Sequence, residues 1–176
     1  YDRGLTDKTQ ITLETLAGIK ILDLNVKDGE VQTVRVNMGS PELVPKNIPI
    51  DSNLDRFISE DVEVDGKVYK VTGVSMGNPH AVTFIDDTDS LEIEKIGPKF
   101  ETHKLFQKKI NTEFAQIVDR NTIKMRVWER GAGETLACGT GACATMVAAN
   151  LNGLVDDEAD LVLLGGTLHI KWDKNE

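Results

Sequence analysis

The sequence predicts an α+β domain in which a mostly antiparallel sheet curls around one central, buried helix. Three observations lead there. Short runs rich in Val, Ile and Leu follow one another closely along the chain, as consecutive strands do when they pair with their neighbours. Two of the connections between such runs are Asp-Gly pairs, Asp28-Gly29 and Asp65-Gly66, the strongest short hairpin signal. One segment, residues 140–152, is small or apolar on nearly every face, the pattern of a helix enclosed on all sides.

In chain order, residues 19–26 and 31–36 read as two strands joined at Asp28-Gly29. Pro41, Pro45 and Pro49 punctuate residues 38–51, which read as a linker or crossover, with a domain boundary near Gly39. Residues 62–64 and 68–74 form the second hairpin, and 81–85 a further strand. A short helix is expected over 90–96, halted by Gly97-Pro98. Residues 114–118 and 123–129 flank the polar turn Asp119-Arg120-Asn121, and 161–164 and 168–172 flank Gly165-Gly166. The total is roughly nine strands, all short. The main helix begins after Thr and Gly residues and stops at Gly153, a residue suited to a helix end.

The 176 residues carry a formal net charge of −9, which argues against non-specific nucleic-acid binding. No apolar run reaches the length of a membrane span and no secretory signal pattern is evident. Two cysteines, Cys138 and Cys143, do not make a disulfide framework, so a reducing cytoplasm is expected. The chain opens on Tyr1 rather than Met and is read as a fragment.

Four segments could carry chemistry. In the stretch E-R-G-A-G-E-T-L-A-C-G-T-G-A-C-A, residues 129–144, Cys138 precedes the main helix. A helix N-terminus offers free N–H groups and partial positive charge, which would lower a thiol's pKa. Gly139 and Gly141 let backbone amides approach a carboxylate closely. The competing reading is a structural cysteine beside a tight turn. Cys143, inside the helix among alanines, reads as core. Glu129 and Arg130 end a strand at a glycine-rich turn; together they suit a zwitterion, unless they are an ordinary surface pair. In S-M-G-N-P-H-A-V, residues 75–82, Asn78 and His80 are either polar site groups or a turn former and a satisfied histidine. Asn111 in K-I-N-T-E-F stands just before a strand.

Taken together, these segments resemble the diaminopimelate epimerases. The matching text is T-L-E-T-L-A-G at 12–18, G-N-P-H-A-V at 77–82, K-I-N-T-E-F at 109–114 and W-E-R-G-A-G-E-T-L-A-C-G-T-G-A-C-A at 128–144. The resemblance runs over essentially the whole chain. C-G-T-G alone fits the wider superfamily, including proline-racemase-like proteins, whereas E-R-G-A-G-E-T points to the diaminopimelate branch. The family folds as two similar halves, each a sheet around a helix, with the active site between them. By that resemblance residues 1–38 are strands of the first half and residues 39–176 belong to the second.

The activity implied is conversion of LL-2,6-diaminopimelate to the meso form, feeding lysine and cell-wall synthesis, with no pyridoxal phosphate or other cofactor and no metal. The partner implied is this small amino-acid substrate, with no nucleic acid and no membrane, in a family that is often homodimeric. In the family two cysteines, one from each half, work on opposite faces of the carbon being inverted. By resemblance Cys138 is the second of these; His80 and Glu129 tune the thiols; Asn78, Asn111, Glu129 and Arg130 bind substrate; and Gly139 and Thr140 hold its α-carboxylate. The motif with the first cysteine is expected upstream of Tyr1 and the family's final strands beyond Glu176, so this chain alone is expected to be inactive. Three alternatives remain at this level: a proline-type racemase, a cysteine hydrolase using Cys138 and His80, and a non-catalytic binding or dimerisation domain.

Overall fold

The computed structural model describes residues 1–15 and 18–175; Leu16 and Ala17, inside the 12–18 motif, and Glu176 lie outside the described residues. The chain divides into two compact units, Tyr1–Gly39 and Ser40–Glu176.

The first unit is a three-stranded antiparallel sheet of β1 (Gln10–Thr15), β2 (Gly18–Lys27) and β3 (Glu30–Val36), in that order. The sequence reading had missed β1. Asp28 and Gly29 form the expected two-residue turn, both with positive φ, as a type I′ turn requires.

The second unit is built on a larger sheet. Its strands are β4 (Glu60–Val64), β5 (Lys67–Ser75), β6 (Pro79–Phe84), β7 (Asn111–Asp119), β8 (Thr122–Glu129), β9 (Gly133–Thr135), β10 (Glu158–Leu163) and β11 (Gly166–Lys171). The spatial order is β11-β10-β8-β7-β6-β5-β4, with β9 paired to β8. Most pairings are antiparallel, as expected, but β6 with β7 and β10 with β8 are parallel. Parallel neighbours need a crossover, and each crossover carries a helix: α1 (Ile93–Glu101) between β6 and β7, and α2 (Gly139–Leu151) between β8 and β10.

The two helices lie in different cores because strand side chains alternate. Val82, Ala115, Met125 and Val127 pack in the core that holds Met146 and Val147 of α2. Their neighbours Ala81 and Phe114 pack in a second core with Ile93 and Phe100 of α1. α2 touches β5, β6, β7, β10 and β11, so the sheet does wrap around it. Residues 141–149 of α2 are buried throughout. Its C-terminus closes as a Schellman turn, with Leu154 N–H donating to Ala149 and Gly153 at φ 70°.

Two expectations fail here. The helix expected over 90–96 instead runs through Pro98 to Glu101. Pro98 removes only one backbone donor, while Phe100 beyond it is fully buried. Gly97 allows close contact with Trp128, since a Cβ there would stand 2.4 Å from the indole. Residues 38–51 are not a linker beyond their first few positions. Glu42 bridges to Ser75 through the backbone, and Ile48 and Ile50 are buried. The prolines shape a packed segment with one 3-10 turn, Pro45–Asn47. Among the described residues no helix is long and apolar enough to cross a membrane.

Candidate active site

Because β6 and β7 run parallel and β8 runs against β7, the starts of β6 and β7 and the end of β8 share one end of the sheet. Alternation places His80 with Val82, Asn111 and Glu113 with Ala115, and Glu129 with Val127, all on the face toward α2. The apolar core gives way to polar residues at this end of the sheet, where Glu113 stands beside Cys138 and Gly141 at the start of α2.

Cys138 is the N-cap of α2. Its backbone is extended and its sulfur accepts the Gly141 N–H at 3.3 Å, the task an Asn, Asp or Ser oxygen usually performs. The Thr140 hydroxyl lies 3.5 Å from the same sulfur. Asn78 Nδ2 donates to Thr140 Oγ1 at 3.2 Å. His80 Nε2 stands 3.0 Å from Asn78 Oδ1, and His80 Nδ1 stands 2.7 Å from Glu113 Oε1. Both His80 and Glu113 are completely buried.

The electrostatics differ from the sequence expectation. Burial pushes the Cys138 thiol up from its ordinary value. Hydrogen bonds from Thr140 and Gly141 oppose that shift, and the carboxylates of Glu113 and Glu129 reinforce it. Desolvation is the largest of these effects, and it comes from the burial of Cys138, 7% exposed, which its local sequence does not reveal. Burial also raises the Glu113 carboxyl; His80 acts against this and Glu129 with it.

The other residues singled out take the following places. Glu129 Oε1 accepts from Thr135 Oγ1 at 2.5 Å. Asn111 is the first residue of β7 rather than a loop end; its Nδ2 donates to the Pro79 carbonyl and its Oδ1 accepts the Arg130 N–H, both at 2.8 Å. Asn111 thus ties the turn after β8 to the start of β6. The Arg130 side chain is exposed and donates to the Lys108 carbonyl at 2.9 Å. The backbone N–H groups of Gly139 and Thr140 have no hydrogen-bond partner among the described residues. Cys143 lies within α2 among buried residues. His80 does not touch Cys138: both its ring nitrogens are engaged elsewhere, which removes the dyad that a hydrolase would need.

Glu113 is the residue the sequence reading missed. The signal was a glutamate between the apolar-facing positions of β7, which is otherwise a core strand. A broader groove lined by Asp51, Asp61, Glu63, His103 and Lys104 includes no member of this network. Among the described residues no group of three His, Cys, Asp or Glu side chains could hold a metal ion.

The fold is shared with a solved epimerase and a solved probable racemase. A hydroxyproline epimerase from Agrobacterium vitis, solved with trans-4-hydroxy-L-proline, superposes with a TM-score of 0.69 at 12% identity, over 97% of this chain and 55% of that one. A probable proline racemase from Agrobacterium radiobacter gives 0.66 at 16% identity, over 94% and 53%. The sequence narrows the class. The family model for diaminopimelate epimerase matches residues 72–176, and the chain belongs to that family. It is 58% identical to the diaminopimelate epimerase of Acetivibrio thermocellus over 175 residues and 52% identical to that of Methanococcus maripaludis over 174. These matches cover 99% of this chain but 62% and 63% of the relatives, so the chain spans less than two thirds of their length.

Proposed function

We propose that this chain supplies one side of a cofactor-independent, two-base epimerisation of LL-2,6-diaminopimelate to the meso form, with Cys138 as the acid–base group. The observation that carries the reading is the position of Cys138: a thiol capping α2, beside the open amides of Gly139 and Thr140, within the segment matched by the family. Those amides and the helix start suit the substrate's α-carboxylate, while Glu129 and Arg130 offer opposite charges for the rest of a zwitterion. His80, Asn78 and Asn111 frame the site through their hydrogen bonds along the network to Thr140 and to the Pro79 carbonyl.

Removing a proton from one face and returning one to the other requires a second acid–base group opposite Cys138. Cys143 cannot serve, because it sits in the interior of the same helix. The 176-residue chain is therefore expected not to epimerise by itself, and its activity belongs to a longer or complemented protein, cytoplasmic and dimeric by family analogy.

The test is hydrogen–deuterium exchange and optical rotation on LL-diaminopimelate with the complete protein. Cys138→Ser is expected to lower turnover at least 10²-fold, the lower bound for loss of one positioned acid–base group, without unfolding the chain. Near-normal turnover of that variant, or full turnover by the 176-residue chain, refutes the assignment.

A further inference from the structure

The network around His80 has a direction. Asn78 presents its carbonyl oxygen to His80 Nε2 and its amide nitrogen to Thr140. An amide oxygen can only accept, so His80 Nε2 carries a proton. Asn78 Nδ2 can only donate, so the Thr140 oxygen accepts there, and its own proton is free to point at Cys138 Sγ 3.5 Å away. Every donor in the series His80, Asn78, Thr140 faces the sulfur.

What sets that direction is the far end. His80 Nδ1 meets Glu113 Oε1 at 2.7 Å with both side chains fully buried. Glu113 Oε2 is buried with no hydrogen-bond partner. A bare ionised oxygen in such a place is costly, whereas a carboxyl that shares a proton with its partner is not. With Glu113 protonated, its proton is directed at Nδ1 and the neutral imidazole carries its own proton on Nε2; if the shared proton moves to Nδ1, the ring becomes an imidazolium that keeps the Nε2 proton, so Nε2 is the outward donor in both forms. Gly141 makes room for this arrangement, since a Cβ there would stand 2.7 Å from Glu113 Oε1.

We propose that Glu113 is a positioning residue: by sharing a proton with His80 Nδ1 it fixes His80 Nε2 as a donor, and so orients Asn78 and Thr140 to donate toward the Cys138 sulfur. This deepens the epimerase reading, because a proton-accepting thiol needs donors aimed at it when it becomes a thiolate. The titratable groups facing Glu113 are His80 on β6, Glu129 on β8 and Cys138 ahead of α2. None of the tests needs substrate, so they stand or fall independently of the epimerase assignment.

Nitrogen-15 NMR of the histidines in the unaltered chain, from pH 5 to 9, reads the His80 tautomer. Nε2 is expected to stay protonated throughout; a neutral ring protonated at Nδ1 alone overturns the proposal. The second test is the rate of Cys138 alkylation by iodoacetamide at pH 8, followed by mass spectrometry, in the unaltered chain and in Glu113→Leu and Glu113→Asp. By charge alone, removing a neighbouring carboxyl favours the thiolate and speeds alkylation. Loss of oriented donors does the opposite, so Glu113→Leu is expected to react roughly three- to tenfold more slowly, about half to one pKa unit, with Glu113→Asp nearer the unaltered rate. An unchanged or faster rate in a folded Glu113→Leu chain overturns the proposal. If that variant fails to fold, the tautomer measurement decides.

Discussion

Two glycines of α2, Gly139 and Gly141, are expected to respond to the same substitution with opposite signs. In helices Ala is better than Gly by up to about 1 kcal/mol. A Cβ on Gly139 would meet nothing within 4 Å, so Gly139→Ala is expected to be neutral or stabilising by a few tenths of a kcal/mol. A Cβ on Gly141 would stand 2.7 Å from Glu113 Oε1 and 3.2 Å from Cys138 Sγ. Neither atom can yield freely. Glu113 is held by His80 at 2.7 Å in a fully buried pair, and Cys138 is fixed as the helix cap. Overpacking of this kind costs about 1–3 kcal/mol, and displacing a buried hydrogen bond to an ionisable group adds about 1.5–3 kcal/mol. Against the propensity gain, Gly141→Ala is expected to destabilise the second unit by about 2 kcal/mol or more. For a domain of this size that lowers Tm by roughly 6–10 °C. Denaturant and thermal melts of both variants give the comparison. A Gly141→Ala chain as stable as Gly139→Ala would refute the claim that Glu113 and Cys138 are packed against the start of α2.

Two further outcomes follow from the electrostatics. Because burial raises the Cys138 thiol, its alkylation rate in the chain without substrate is expected to go on climbing above pH 9; a plateau near pH 7 would show that the helix start dominates after all. Glu101 is held below its ordinary value chiefly by the Trp128 indole N–H at 2.8 Å, with Lys109 at 3.1 Å contributing. A depressed carboxylate stabilises the fold above its unfolded pKa and loses that contribution as pH falls through the folded value. Glu101→Gln is therefore expected to cost about 1 kcal/mol at pH 7, in chemical denaturation, and the gap to the unaltered chain should shrink between pH 5 and 3. A gap that widens on acidification contradicts the assignment.

Local chemistry was legible in the sequence. Asp28-Gly29 and Asp65-Gly66 are two-residue turns with both residues at positive φ, because few other pairs tolerate that conformation. The helix from Gly139 to Leu151 was readable from its small and apolar residues and from Gly153. Cys138, Asn78, His80 and Thr140, singled out from separate motifs, do form one connected network. The shorter helix was misplaced because Pro98 is a strong local stop signal, and the burial of Phe100 with the fit of Gly97 on Trp128 outweighs it. Strands β1 and β9 were missed, one polar in composition and one only three residues long.

The sequence by itself determined which chemical groups are present and which turns and helix start present them. Only the tertiary structure decided what each group meets. Glu113 and His80 are 33 positions apart, and Asn78 and Thr140 are 62 apart; the parallel register of β6 with β7 and the crossover through α2 bring them together. That proximity also buries Cys138, so the same thiol that its helix position would make acidic is held by desolvation in the opposite sense. Turn and helix signals act over a few residues, whereas burial and register are properties of the whole packed sheet, and at this site the second set prevails.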